Sequence, residues 1–348
     1  MTIKRVGILT GGGDCPGLNA AIRAVVRRLD KDGVKALGIL GGWKGLMNMA
    51  AMELTLNSVS GILVKGGTII GTSRTNPFKD KDGPEIVKRN FGNFNLDGLI
   101  AIGGEDTLGV AAKLFKEGMP IVGVPKTIDN DLWGTDITIG FDTAVTIATE
   151  AIDRLHTTAE SHNRVIIVEV MGRHAGWIAV EAGLAGGADA ILIPEVPFKV
   201  SDVANLILRR HNRGKNFSII VVSEGAKIQT ETGEPMEILR DTELDEFGHV
   251  QLGGIGEMLR VKLKEATGFT ARVTILGYIQ RGGEPTAFDR ILATRLGVKG
   301  AEMVLSGKFG NMAAICDNKI TSTPLSELLG KVRTVDLDLY KIAEVFFG

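Results

Sequence analysis

Short β-branched and aliphatic runs recur along this chain, each ending in a glycine-bearing turn that opens into a helical pattern. Arg5 to Thr10 leads into Gly11-Gly12-Gly13-Asp14 and a helix from about Gly17 to Asp32. Gly98 to Gly103 leads into Glu105-Asp106 and a helix through Leu114, and Ile121 to Val124 enters Pro125-Lys126-Thr127. Arg164 to Met171 leads into Gly172-Arg173 and a helix from about Gly176. Ala190 to Pro194, Phe217 to Ser223 and Arg272 to Gln280 repeat the form. Strands that are apolar throughout and alternate with helices predict an α/β protein with mainly parallel sheets covered on both faces. Ligands of such sheets bind beyond the carboxyl ends of the strands, where each of these polar clusters is expected.

At 348 residues the chain exceeds what one core usually covers, so two domains are expected, with a boundary near Gly140 before a helix from Thr143 to Thr158. Residues from about Ala226 to Gly254 are rich in Glu, Asp, Thr and Gly and read as a surface excursion with no assigned role. A formal net charge of −1 gives no long-range attraction for nucleic acid or an anionic membrane, so neither is an expected partner. Two cysteines far apart, Cys15 and Cys316, lack metal-ligand spacing and suit a reducing cytoplasm. No apolar stretch approaches the ~20 residues of a membrane span, and no secretory segment opens the chain.

Glycines let backbone N–H groups approach an anion, and a helix N-terminus adds a favourable dipole. Taken alone, Gly11 to Asp14 reads as a structural turn, since it matches neither the dinucleotide fingerprint nor the Walker loop. For Gly103-Gly104-Glu105-Asp106-Thr107 two readings stand: Mg²⁺ held through one or two carboxylates, or acids complementing a helix dipole. Pro125-Lys126-Thr127-Ile128-Asp129-Asn130-Asp131 is too charged for an ordinary Asx turn. Asp129 can accept a hydroxyl proton, Asp131 can help hold a metal, and Lys126 can neutralise a transferring phosphoryl group. Met171-Gly172-Arg173 offers a guanidinium fork, and Arg164, Arg272 and Arg281 add others at strand termini, together suggesting an oxyanion site. His174 reads as a helix-start residue, and Trp43, Trp133 and Trp177 as packing residues, with Trp43 in a glycine-rich loop that can line a site.

These segments resemble the phosphofructokinase family. Gly11 to Asn19, Gly103 to Thr107, Thr127 to Asp131, Met171 to Arg173, Ser223 to Gly225 and Leu276 to Gly283 carry the resemblance, in family order, across roughly residues 4 to 300. It implies two Rossmann-like three-layer domains. Residues 1–140 with about 281–330 would take the phosphoryl donor and Mg²⁺, and about 141–280 with 331–348 would take fructose 6-phosphate. The implied reaction is phosphoryl transfer to the sugar's 1-hydroxyl. Asp129 matches the family's base, Glu105 and Asp131 its Mg²⁺-associated carboxylates, and Arg173 its phosphoryl-stabilising arginine. Gly12, Arg74, Gly104, Asp106, Thr107 and Lys126 fall at donor positions. Thr127, Asp129, Met171, Gly172, Arg173, Glu224, Tyr278 and Arg281 match sugar-phosphate contacts. Arg164 and Arg272 match residues that reach a neighbouring subunit's site, which implies a homodimer or homotetramer.

ATP-dependent bacterial members carry glycine where Asp106 stands, and commonly where Lys126 stands. A carboxylate there meets a nucleotide's α-phosphate with bulk and like charge, a clash of several kcal/mol if desolvated, whereas pyrophosphate has no third phosphate to clash. Asp106 with Lys126, together with Tyr278 and Thr75, therefore resembles the pyrophosphate-dependent form and implies a reversible reaction. Arg23, Arg27, Arg213 and Lys215 match basic effector positions, but Leu56 and His156 fall near positions that are arginine in regulated members, so weak or absent effector control is expected. The rivals are an ATP-dependent enzyme, a catalytically inactive sugar-phosphate-binding regulator, and a lipid or NAD kinase sharing the Gly-Gly-acid loop.

Overall fold

The computed structural model describes residues 2–230, 234–244, 246–248 and 250–348. Two compact units emerge, the first comprising Met1–Thr143, Glu246–Gly248 and Arg281–Val332, and the second Ala144–Asp245, His249–Gln280 and Arg333–Gly348. The first begins with β1 (Arg5–Thr10), α1 (Leu18–Asp30), β2 (Lys35–Ile39), α2 (Gly42–Met47) and β3 (Ala51–Leu54). It continues through α3 (Gly83–Asn93), β4 (Gly98–Gly103), α4 (Glu105–Lys116) and β5 (Ile121–Pro125). Helix α5 (Phe141–His162) carries the chain into the second unit. There follow β6 (Val165–Val170), α6 (Trp177–Ala185), β7 (Ala190–Leu192), α7 (Val200–Asn212) and β8 (Ser218–Ser223). Short strands β9 (Ile228–Gln229), β10 (Pro235–Met236), β11 (Leu239–Leu244) and β12 (Val250–Leu252) precede α8 (Ile255–Thr267) and β13 (Ala271–Ile275). The first unit is completed by α9 (Ala287–Leu305), β14 (Asn311–Cys316) and β15 (Lys319–Pro324), and the second by α10 (Leu337–Glu344).

The sheet of the first unit runs β15-β14-β5-β4-β1-β2-β3, parallel except at its two edges, where β3 and β15 pair antiparallel. Strands β4 and β5 are buried at every position, which is why their sequences read as continuous apolar runs. Edge strand β15 is half-buried and carries Lys319, Thr321, Ser322 and Thr323, as a strand with one open side must. The core of this unit gathers Leu9, Trp43, Leu108 and Ile121. The sheet of the second unit runs β13-β6-β8-β7, parallel throughout, over a core that includes Ile167, Ile207, Ile220 and Leu259.

The architecture is the expected one, with boundary differences that have local causes. Helix α5 starts at Phe141, two residues before the expected Thr143, because backbone donors at Gly140 and Thr143 are capped from outside the helix. The run Arg272 to Gln280 is not one strand: β13 ends at Ile275 and a 3₁₀ turn, Gly277–Arg281, follows. The described part of the Ala226 to Gly254 segment forms two antiparallel ribbons, β9 with β10 and β11 with β12. Trp43 is buried in the core on α2, while Trp133 is 42% exposed with Lys331 Nζ 5.3 Å over its ring. Trp177 is buried, and its Nε1 donates to the Arg333 carbonyl.

A staple at the amino ends of β7 and β8 ties the second unit. Arg210 Nη1 of α7 lies 2.9 Å from Asp189 Oδ1, and both side chains are nearly buried. Asp189 Oδ2 accepts the Ile219 N–H at 2.9 Å, and Arg210 Nε donates to Ser218 Oγ at 3.2 Å. Burial outweighs the guanidinium and holds the Asp189 carboxyl above its ordinary range. Arg210→Leu should therefore lower stability by about 3–5 kcal/mol in denaturant unfolding, because it strands a buried charge. The Asp189→Asn/Arg210→Leu double variant should lose less than the sum of the two single variants.

Candidate active site

In the first unit the connection from β1 runs through α1 to β2 on one side, and that from β4 runs through α4 to β5 on the other. The crevice at this reversal of strand order is where doubly wound sheets bind ligands. Thr10 pairs with Ile102 and Gly103 with Pro125, so the carboxyl ends of β1, β4 and β5 are level. The Gly11 to Asp14 loop, the Glu105-Asp106 turn and the Lys126 to Asp131 segment therefore project from the same edge.

The glycine loop is seated from below and held from the side. A Cβ on Gly11 would come within 2.5 Å of Thr107 Oγ1, so only glycine allows that approach, and the Arg281 guanidinium lies against Gly13. Thr107 is buried beneath Gly11 and Gly103, while Arg281, the last residue of the 3₁₀ turn, belongs to this unit and lies on Gly13. Gly12 N–H donates to the Ser73 carbonyl at 3.0 Å and its carbonyl accepts from Thr72 Oγ1 at 2.7 Å, which places the exposed Arg74 next in line. The Lys126 side chain is buried, and its ammonium donates to the Gly13 carbonyl. Burial, with Arg281 adding to it, pulls the Lys126 pKa down, while Asp14 and Asp129 act to hold the proton.

Glu105 and Asp106 occupy the first turn of α4, half-buried, behind Gly104 as N-cap. Asp129 and Asp131 flank Asn130, which takes φ 52°, the left-handed region that asparagine tolerates. Asn130 Oδ1 accepts from Thr138 N at 3.1 Å, and Thr138 Oγ1 donates to the Thr127 carbonyl at 2.6 Å. Asn130 is thus held by a bond to Thr138, eight residues on, and not by a local Asx turn, and it sits between the two aspartates. Burial pushes the Asp131 carboxyl up to about 7, and the charges of Asp129 and Glu105 push the same way. A bound cation would relieve this repulsion. Among the described residues no set of three or more His, Cys, Asp or Glu side chains is arranged to hold a metal. Mg²⁺ held through one or two carboxylates, with water and phosphate oxygens completing its shell, suits such a site.

In the second unit Met171, Gly172 and Arg173 follow β6, Glu224 follows β8, and Tyr278 follows β13, all on the carboxyl edge. Gly172 has φ 132°, and a Cβ there would lie 2.6 Å from the Ala175 carbonyl and 2.7 Å from Ser223 Oγ. Ser223 Oγ donates to the Gly172 carbonyl at 2.6 Å, and Gly225 N–H donates to the same oxygen at 3.1 Å. Gln280, fully buried, accepts from Met171 N at 3.3 Å and donates to the Gly277 carbonyl at 3.2 Å, tying two exit loops together. Tyr278 is 78% exposed. Arg164 and Arg272 do not join this group. Arg164 precedes the six residues of β6, about 20 Å from its carboxyl end, and Arg272, paired with Ile166 near the amino edge, is the second residue of β13, about 10 Å from that strand's carboxyl end. The expectation that they share one topological position with Arg173 is corrected by strand polarity. His156 Nε2 lies 2.6 Å from the Gly186 carbonyl, a structural contact.

Residue-level reading gave no role to Asp289, Gln280, Ser223 and Thr138, which hold the loops that carry the expected site residues. A signal existed for Asp289: Thr286-Ala287-Phe288-Asp289 has the spacing of a helix capping box.

A doubly wound sheet with a glycine loop, a buried lysine and clustered carboxylates at its switch point defines a phosphate-handling α/β protein. The phosphofructokinase family model matches residues 5–304, and the chain belongs to that family. It is 54% identical over 345 residues to a pyrophosphate–fructose 6-phosphate 1-phosphotransferase of Amycolatopsis methanolica, covering 99% of this chain and 100% of that protein. It is 48% identical over 350 residues to an ATP-dependent 6-phosphofructokinase of Corynebacterium efficiens, covering both chains fully. Pichia pastoris phosphofructokinase in the T-state superposes with a TM-score of 0.83 at 33% identity, covering 99% of this chain and 36% of that longer one.

The Asp131 shift has a consequence for the metal-free protein. Its folded pKa of about 7 lies above the ordinary 3.8, so between those values the folded state binds the extra proton. Stability contributed by this group is thus present at acid pH and lost as pH rises from about 4 to 7. With chelator present, the melting temperature of Asp131→Asn should fall less over that window than that of the wild type. Equal slopes in the two proteins would contradict the assignment.

Proposed function

We propose that this protein moves a phosphoryl group from inorganic pyrophosphate to the 1-hydroxyl of fructose 6-phosphate, giving fructose 1,6-bisphosphate and phosphate. The observation that carries the transfer chemistry is the set of Glu105, Asp129 and Asp131 projecting from the same sheet edge as the glycine loop tied down by Lys126. Asp129 takes the hydroxyl proton as the sugar oxygen attacks, so the nucleophile gains charge only as the bond to phosphorus forms. Glu105 and Asp131 would hold Mg²⁺, which when bound neutralises charge on the diphosphate. Lys126 and Arg173 balance charge on the moving group. Gly12, Gly104, Thr107 and Arg74 frame the donor. Thr127, Met171, Gly172, Glu224, Tyr278 and Arg281 orient the sugar phosphate.

Relatives at similar identity carry either donor in their names, so Asp106 decides. Its carboxylate stands in the first turn of α4, at the edge that carries the glycine loop, and repels a further phosphate. Transfer from inorganic pyrophosphate exchanges one phosphoanhydride bond for one phosphate ester without the larger driving force of a nucleoside triphosphate, which makes the proposed reaction reversible. No helix among the described residues is long and apolar enough to cross a membrane, and a cytoplasmic enzyme of sugar-phosphate metabolism fits that. Arg164 and Arg272, remote from the carboxyl edge of their own sheet, suit service to a neighbouring copy in a homodimer or homotetramer.

Initial rates with pyrophosphate against ATP, at fixed fructose 6-phosphate and Mg²⁺, test the donor. Pyrophosphate should be the faster donor by at least about tenfold, a difference near 1.4 kcal/mol in the barrier. Asp106→Gly, alone and with Lys126→Gly, should raise ATP use, and an unchanged ATP rate would contradict the steric account. Asp129→Ser should cut turnover by about 10²–10⁴-fold with the sugar KM little changed, the range for loss of a general base.

A further inference from the structure

Helix α9 begins with a capping box that is only half local. Thr286 is its N-cap, and the Thr286 hydroxyl accepts the Asp289 N–H at 3.2 Å, as a capping threonine should. In the ordinary box the acid three residues on reaches back to the N-cap N–H. Asp289 does not. That N–H donates instead to Thr143 Oγ1 at 3.1 Å, at the start of α5. The Asp289 carboxylate is thereby released to the other helix. Its Oδ1 accepts the Gly140 N–H at 2.9 Å, and its Oδ2 accepts the Thr143 N–H at 2.9 Å and Thr143 Oγ1 at 2.6 Å. Asp142 Oδ2 accepts from the Thr286 hydroxyl, closing the exchange. Two helix N-termini thus cap one another across 146 positions of sequence.

The segment that enters this lock, residues 138–140, lies beside the start of the Lys126 to Asp131 segment, with Ile139 bridging Lys126 in parallel. Gly140 is held by Asp289, Ile139 bridges Lys126, and Thr138 holds Asn130 Oδ1 and the Thr127 carbonyl. The Ile139 carbonyl also accepts from Cys15 Sγ at 3.4 Å, on the loop whose Gly13 carbonyl takes the Lys126 ammonium. Three successive residues therefore transmit one anchor to Lys126, Thr127 and Asn130. Asp289 itself is fully buried and touches none of the groups that meet substrate.

We infer that Asp289 is a positioning residue for phosphoryl transfer, setting the placement of Lys126, Asp129 and Asp131 by fixing residues 138–140 from behind. The inference rests on the proposed transfer reaction for its kinetic readout. Both Asp289 carboxylate oxygens act as acceptors, from two backbone N–H groups and one hydroxyl, and these bonds oppose the upward push of burial on its carboxyl. An asparagine there turns an amide donor toward backbone N–H groups and releases residues 138–140. A displacement of the order of 1 Å at reacting groups costs up to ~10²-fold in rate without removing any substrate contact.

Asp289→Asn should lower kcat by at least about tenfold while the KM values for fructose 6-phosphate and pyrophosphate move less than about threefold, the split expected when only transition-state placement is lost. Hydrogen exchange should accelerate at Gly140 and Thr143 while the amides of β4 keep their protection. Thr143→Val, which removes one of the bonds to Asp289 and the acceptor for Thr286 N–H, should show the same split at smaller amplitude. Thr143→Ser should retain wild-type turnover. Wild-type kcat in Asp289→Asn with exchange accelerated at Gly140 would overturn the positioning role, as would a kcat loss accompanied by equal loss of β4 protection. Should Asp289→Asn fail to fold, Thr143→Val decides on the same criteria. Should the wild type not use pyrophosphate, the donor reading fails by itself, and the kcat split is read with ATP on the same variants.

Discussion

Burying an ammonium group is costly unless oxygen partners lie close, and Lys126 is buried in the core of the first unit's binding edge. Its answer is the Gly13 carbonyl, reached because the loop from Gly11 to Gly13 has no side chains to keep the backbone away. Two elements far apart in sequence are joined by that one contact. Thr107 below, Arg281 beside and Ser73 across the loop then have fixed places to occupy. Asp129 acts on this same cation, while Asp129 and Glu105 repel the carboxylate of Asp131 at the sheet edge. Charge of one sign is concentrated, and charge of the other is held one layer deeper.

Much of the scaffold was legible because parallel strands buried on both faces leave continuous apolar runs. Strands β1, β4, β5, β6 and β8 are all of this kind. Antiparallel edges such as Lys319–Pro324 hide among polar residues, because one open side removes the apolar run. Trp43 sits among glycines that resemble a loop, yet those glycines allow α2 to pack its tryptophan inward. Residues that would meet ligands were legible since their charge has no packing explanation. Those that hold them were not. Asp289 announces a helix start in its own vicinity, and only the fold reveals that its carboxylate is spent on Gly140 and Thr143.

Strand direction is likewise invisible in a list of charged residues near strand ends. Arg164 and Arg173 bracket the same strand and look equivalent in sequence, but a parallel strand has two chemically different ends. One end gathers loops that follow strands, where backbone donors and helix N-termini converge. The other gathers loops that precede them.

That polarity has a genetic corollary. If the arginines at the amino edge serve another copy, as proposed, a fault in Arg164 or Arg272 is expressed in a neighbour's chemistry and not in the chain that carries it. Faults on opposite edges of different chains then fall on different active sites. A mixed assembly built from two separately inactive chains retains some sites with every part intact, whereas each pure assembly retains none.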